Sequence, residues 1–155
     1  MKLYLAGPIF TAAEQDWLLR LKGRIGGLAA SSGEPVQVIW PYELIDRETA
    51  LSLGNQAKFE IFKLCKTDLD DTDILIAWLD GTQVDDGTAW EVGYFYARRH
   101  GDLQLILGLR TDFRRAGESA ESIVNAMIEC SCDRLFHSAD GLLEYLQGVI
   151  ESGDH

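Results

Sequence analysis

Positive charge is scarce in this sequence. Fourteen Lys and Arg stand against 25 Asp and Glu over 155 residues, for a formal net charge of −11. A nucleic-acid surface needs clustered Lys and Arg to neutralise phosphates, and anionic lipid needs the same. Neither nucleic acid nor a membrane surface is therefore an expected partner. Cysteine is also scarce, with Cys65, Cys130 and Cys132 forming an odd set without framework spacing. That pattern fits a reducing compartment and a cytoplasmic location. Cys130-Ser131-Cys132 lacks a nearby His or further Cys and reads as small buried side chains rather than zinc ligands. His100, His137 and His155 are scattered, so no metal site is expected. No apolar run approaches the ~20 residues that span a bilayer. The opening Met1–Ala6 is too short in its apolar part for a signal peptide. G-x-G-x-x-G, Walker A and G-x-S-x-G patterns are all missing. There is no repeat and no low-complexity tract. Ser31–Pro35 is the most linker-like stretch and is too short to separate two units, so residues 1–155 are expected to form a single domain.

What is present is an alternation of short apolar runs and helical periodicity. Lys2–Ala6, ended by Gly7-Pro8, reads as a buried strand. Trp17, Leu18, Leu21, Ile25 and Leu28 recur at helical spacing and predict a helix from about Ala12 to Ala29. Val36–Trp40 reads as a strand, Gln56–Leu69 as a helix with Phe59, Phe62 and Leu69 on one side, and Ile74–Leu79 as a central parallel strand. Then follow a helix over Thr88–Arg99, a strand over Leu103–Leu107, a short helix over Ser122–Glu129 and a strand over Arg134–Phe136. Leu142, Leu143, Leu146, Val149 and Ile150 form the apolar face of a closing helix. This order predicts an α/β fold: a flavodoxin-like, doubly wound, five-stranded parallel sheet with helices on both faces. In such folds the ligand sits beyond the carboxyl ends of the strands. The segments to inspect are therefore Gly7–Thr11, Trp40–Glu43, Asp80–Glu91 and the loop after Leu107.

Asp80–Tyr94 is the most informative stretch. Asp85 and Asp86 precede Gly87 and a helix start, and Glu91 lies about one turn inside that helix. Helix capping by Asp85 or Asp86, with Glu91 complementing the macrodipole, accounts for these acids without chemistry. Against that, the loop lies at the ligand end of the sheet. Glu91 is also flanked by Trp90, Val92, Gly93, Tyr94 and Phe95, where an idle carboxylate is costly. A poised carboxylate near others suits glycosyl chemistry, one acting as nucleophile and another protonating the leaving group. The acidic run Asp68, Asp70, Asp71 and Asp73 ends a helix, where negative charge is unfavourable, so at least one is expected to serve a purpose. Trp40 and Trp78 read as core residues.

Tyr4-Leu5-Ala6-Gly7-Pro8-Ile9-Phe10, Asp85-Asp86-Gly87-Thr88-Ala89-Trp90-Glu91-Val92-Gly93, Asp71-Thr72-Asp73-Ile74 and Val124-Asn125-Ala126-Met127 together resemble the nucleoside 2-deoxyribosyltransferase family, over about residues 2–150. The resemblance implies Glu91 as nucleophile, Tyr4 beside it and Asp85 holding the sugar 5′-hydroxyl. It implies Asp68, or else Asp70 or Asp71, against the leaving base. Gly7, Phe10, Asp86 and Gly87 fall in the substrate-binding segments. Asn125, with Met127 close by, is implied to complete a neighbouring subunit's site, hence a homo-oligomer, a dimer or a hexamer. Some members also place a C-terminal carboxylate in the site, but the tail Glu151–His155 shows no match. The implied substrates are 2′-deoxynucleosides and free nucleobases, with no metal or organic cofactor. The rival reactions are hydrolysis of the N-glycosidic bond of a 2′-deoxynucleoside or its 5′-monophosphate. Hydrolytic relatives carry a small neutral residue where Asp85 stands. A carboxylate there accepts a hydrogen bond from a hydroxyl but repels a phosphate, which favours the free nucleoside. A non-catalytic nucleotide-sensing module on the same scaffold is the rival from another class.

Overall fold

A computed structural model describes residues 1–100 and 104–152. Five parallel strands form one sheet in the order β2-β1-β3-β4-β5. They are β1 (Lys2–Ala6), β2 (Gln37–Ile39), β3 (Ile74–Trp78), β4 (Leu105–Leu109) and β5 (Arg134–Phe136). The helices are α1 (Ala12–Ser32), α2 (Arg47–Leu53), α3 (Ala57–Asp70), α4 (Asp86–Arg98), α5 (Ala126–Glu129) and α6 (Ala139–Ser152). This is the expected flavodoxin-like α/β fold. Strand order reverses between β1 and β3, which opens a crevice at their carboxyl ends.

Alternation along β1 sets the layers, because successive side chains point to opposite faces. Leu3 and Leu5 enter one core with Leu18, Leu21 and Ile25 of α1 and Leu142 and Leu146 of α6. Tyr4 and Ala6 enter the other, with Leu69 of α3 and Val92 and Phe95 of α4. Each such buried Leu, Val or Phe contributes roughly 1.5–3 kcal/mol. Trp40 and Trp78 are core residues as expected, and Trp78 stacks on Trp17 with ring centroids 4.4 Å apart.

Several boundaries differ from the sequence reading. The first helix continues to Ser32 because Gly33, at φ 75°, supplies the left-handed cap. Its start is fixed by a capping box between Thr11 and Glu14. α2 was not expected at all; Asp46 starts it by accepting from the Thr49 N–H. Phe59 and Phe62 do not share the buried side of Leu69: they are 61% and 53% exposed. The short helix begins only at Ala126, and the fourth strand spans Leu105–Leu109 rather than starting at Leu103, which lies outside the described residues. Among the described residues no helix is long and apolar enough to cross a membrane.

Candidate active site

The crevice holds a cavity of about 870 Å³. Gly7, Ile9 and Phe10 after β1 line it, with Pro41, Tyr42, Glu43, Ile45, Asp46 and Arg47 after β2. Ile61 and Cys65 of α3 and Asp85, Gly87, Thr88 and Glu91 at the start of α4 complete the lining. Three of the four segments singled out beforehand thus meet in one place. The fourth, after β4, lines a separate cavity that includes Asp86, Arg110 and Asn125.

Glu91 and Tyr4 form the centre. Tyr4 is fully buried on the α4 side of β1, and its hydroxyl donates to Glu91 Oε1 at 2.6 Å. Burial first, and then the neighbouring Glu91 charge, raise the Tyr4 pKa, so the phenol stays a donor. Burial pushes the Glu91 carboxyl up to about 7; the Tyr4 hydrogen bond opposes this and the Asp85 charge adds to it. The Cys65 thiol lies against the Tyr4 hydroxyl, and burial raises its pKa as well. Glu91 Oε2 takes no hydrogen bond among the described residues.

Asp85 caps α4: its Oδ2 accepts from the Thr88 N–H and Oγ1–H, both at 2.9 Å. It also lines the cavity, with Oδ1 uncommitted among the described residues. A Cβ at Gly87 would stand 3.2 Å from Asp85 Oδ2, and one at Gly7 would stand 3.2 Å from the Leu18 methyls. Glycine at both positions keeps the cavity wall thin. Phe10 sits at the rim, 76% exposed.

A buried cation holds the loop that carries Asp85. Arg110 is 1% exposed; it donates to the carbonyls of Leu79, Gly81 and Arg114. In return Asp80 accepts from the Thr111 and Asp112 N–H groups at 2.6 and 3.0 Å, and Asp112 accepts from the Gly81 N–H. The loops after β3 and β4 are therefore cross-braced.

The acidic run lies outside the cavity lining. Asp68 does not line the cavity: it pairs with Lys2 Nζ at 2.7 Å, near the amino end of β1. Asp70 is no substitute, since Tyr94, Lys66 and Arg98 hold it, with its pKa lowered to about 2 chiefly by the Tyr94 hydroxyl. Asp71 is exposed at the end of α3, and Asp73 accepts from the Lys2 N–H at 2.7 Å. The purpose these acids serve is anchoring β1 and α4 to the end of α3. The residues of α3 that do face the cavity, Ile61 and Cys65, were not singled out, nor was Arg47. Asn125 is also outside this cavity: it caps α5 through the Met127 N–H and donates to Glu118 at 2.5 Å. Met127 is 78% exposed and lines neither cavity. Among the described residues no cluster of His, Cys, Asp and Glu could hold a metal ion.

Fold and site define a flavodoxin-like α/β protein whose strand-end crevice presents a part-buried carboxylate with a raised pKa. The nucleoside 2-deoxyribosyltransferase family profile matches residues 3–127, and the chain belongs to that family. Solved structures agree at the level of the fold. A 2-deoxyribosyltransferase from Bacillus psychrosaccharolyticus superposes with TM-score 0.68 at 22% identity, over 97% of this chain and 96% of that one. A conserved protein from Enterococcus faecalis gives TM-score 0.64 at 23% identity, over 96% and 98%. Among curated proteins nothing matches.

Proposed function

We propose that residues 1–155 act as one catalytic domain that exchanges the base of 2′-deoxyribonucleosides by double displacement. The observation that carries this reading is the Tyr4–Glu91 pair in the crevice. Glu91 lines the cavity with Oε2 free of hydrogen bonds among the described residues, while the Tyr4 hydroxyl holds Oε1 and orients the carboxylate. Glu91 attacks C1′, and the C1′–N bond breaks with its electron pair passing to the base, which is protonated from solvent. The resulting deoxyribosyl ester is attacked at C1′ by a second base, and two inversions retain the β configuration. Missing the 2′-hydroxyl makes the oxocarbenium-like transition state easier to reach. Asp85 Oδ1 accepts the 5′-hydroxyl. The same charge disfavours a 5′-phosphate, so free nucleosides are the substrates.

A homo-oligomer is part of the proposal. Asn125 and Met127 do not enter the cavity of their own chain, yet both are exposed. Phe62, Trp90 and Tyr94 form an aromatic cluster at the surface, the kind of patch that marks an interface. A neighbouring copy would bring Asn125 to the open side of the crevice. The compartment that fits free cysteines and base salvage is the cytoplasm.

Incubation with 2′-deoxyinosine and adenine, followed by chromatography, tests the reading. Deoxyadenosine is the expected product. Hypoxanthine with free sugar and no deoxyadenosine would establish hydrolysis instead, and unchanged reactants would leave a sensing module.

A further inference from the structure

The cavity contains one unspent cationic group, beside the neutral Tyr42 hydroxyl, which likewise takes no partner among the described residues. Its other charged lining residues are acids, and two of these are engaged outside the cavity's chemistry. Glu43 pairs with Lys22, and Asp46 accepts from the Thr49 N–H and Oγ1–H at 2.9 and 2.6 Å. Arg47 lines the same wall, and among the described residues its guanidinium has neither an ion pair nor a hydrogen bond. Arg47 follows β2, whereas Asp85 and Glu91 follow β3, and β1 separates those strands. The strands that lead to these two walls lie two strand spacings apart, roughly 10 Å. The free charged groups of the cavity are thus carboxylate acceptors on the β3 side and the exposed Arg47 guanidinium fork on the β2 side. The lining also includes apolar and aromatic side chains, among them Ile9, Tyr42 and Ile45.

A nucleoside presents the matching pattern, with hydroxyl donors on its sugar and ring acceptors on its base. Once the sugar is turned toward Asp85 and Glu91, the base reaches toward Arg47. Guanidinium has five N–H donors and no acceptor, and its fork pairs bidentately with the adjacent O6 and N7 acceptors of a 6-oxopurine. Adenine places an amino donor where O6 stands, and a pyrimidine has no N7. The geometry points to Arg47 as a specificity-determining residue that selects 6-oxopurines, guanine and hypoxanthine, over adenine and pyrimidines in this crevice. This rests on the nucleoside reading above.

The same contact serves the reaction. When the C1′–N9 bond breaks, the electron pair passes to N9 and spreads over N7 and O6. Two hydrogen bonds from a cation then grow stronger as the charge develops. Asp68 lies outside the cavity, so a cation at N7 and O6 takes the part of a proton donor at the leaving base. The base departs as the anion and is protonated by water.

The test compares the wild type with Arg47→Gln and Arg47→Lys. With 2′-deoxyguanosine as donor and equal hypoxanthine and adenine as acceptors, the ratio of deoxyinosine to deoxyadenosine is read by chromatography. Binding of free hypoxanthine and free adenine is measured by calorimetry in parallel. The wild type should favour hypoxanthine in both readouts. Arg47→Gln should lower that preference at least about tenfold, the scale of one bidentate base contact, and Arg47→Lys should restore part of it. Exchange with the same acceptor ratio in all three proteins overturns the inference and leaves the transferase reading intact. Hypoxanthine binding that depends on Arg47, without exchange, supports the inference and overturns the transferase reading. Tighter binding of the 5′-monophosphate than of deoxyinosine, lost in Arg47→Gln, assigns the cation to a phosphate and overturns the inference.

Discussion

Glu91 is a carboxyl kept from ionising fully at neutral pH. Burial raises it to about 7, and attack on C1′ requires the carboxylate. kcat/KM should therefore rise with pH through an apparent pKa near 7, as a pH–rate profile will show. A profile flat from pH 5 to pH 8 would remove the nucleophile from this position. Stability runs the other way. The native state holds this proton over a window where the unfolded chain has released it, so its contribution is complete below the ordinary carboxylate range and declines as pH rises through about 7. Glu91→Gln should accordingly raise the unfolding free energy relative to wild type at pH 8, by an amount on the order of 1–3 kcal/mol, and change it little at pH 4. At the neighbouring acid, Asp85→Asn should raise the affinity for 5′-monophosphates relative to nucleosides, measured as a ratio of KM values. An unchanged ratio would show that Asp85 does not face the 5′ position. Tyr4, Asp85 and Glu91 were legible in the sequence because each lies in a short contiguous motif next to a strand end. Cys65 and Arg47 were not. Cys65 reaches the site through the phase of α3, and Arg47 through a helix whose seven residues give too little periodicity to detect. Asp68 falls outside the cavity lining for a related reason. It lies three residues beyond Cys65, roughly 4.5 Å further along the helix axis, and there Lys2 at the amino end of β1 captures it.

Among the elements, the loop from β3 to α4 leads into the cavity-lining Asp85 and is held by its neighbour. Arg110 ties it to the loop after β4 through buried carbonyls, while Asp80 and Asp112 return hydrogen bonds across the gap. Arg110→Ala leaves those carbonyls buried without donors and should cost about 3 kcal/mol or more in a denaturant melt. A loss under about 1 kcal/mol would show that the brace is dispensable. Gly108 on β4 is a second tight point, since a Cβ there would stand 2.4 Å from a Leu135 methyl and 3.0 Å from Cys132 Sγ. All five strands were legible in the sequence: β1 and β5 with the bounds expected, and β2, β3 and β4 with ends displaced by one or two residues. Arg110 escaped notice because a buried arginine bonded to main-chain carbonyls leaves no pattern in the sequence.

Across the whole molecule, the acidity that opened the description is divided between two tasks. Asp68, Asp70 and Asp73 are bonded within the fold, whereas Asp85 and Glu91 face the cavity. The assembly is the remaining question at this scale. If Asn125 completes a neighbour's site, Asn125→Ala and Glu91→Ala should each lose exchange activity. A mixture of the two, dissociated and reassembled, should regain part of it from sites that combine both intact residues. No recovery, together with a sedimentation mass of one 17.3 kDa chain, would contradict the shared site.

The central claim concerns one covalent bond. Wild-type protein is mixed with 2′-deoxyinosine, quenched with acid and digested, and the peptides are weighed by mass spectrometry. A deoxyribosyl group on Glu91, absent from Glu91→Ala, which keeps its circular dichroism spectrum but exchanges no base, is the result this account requires. A sugar bound elsewhere, or base exchange at the wild-type rate by Glu91→Ala, would contradict it.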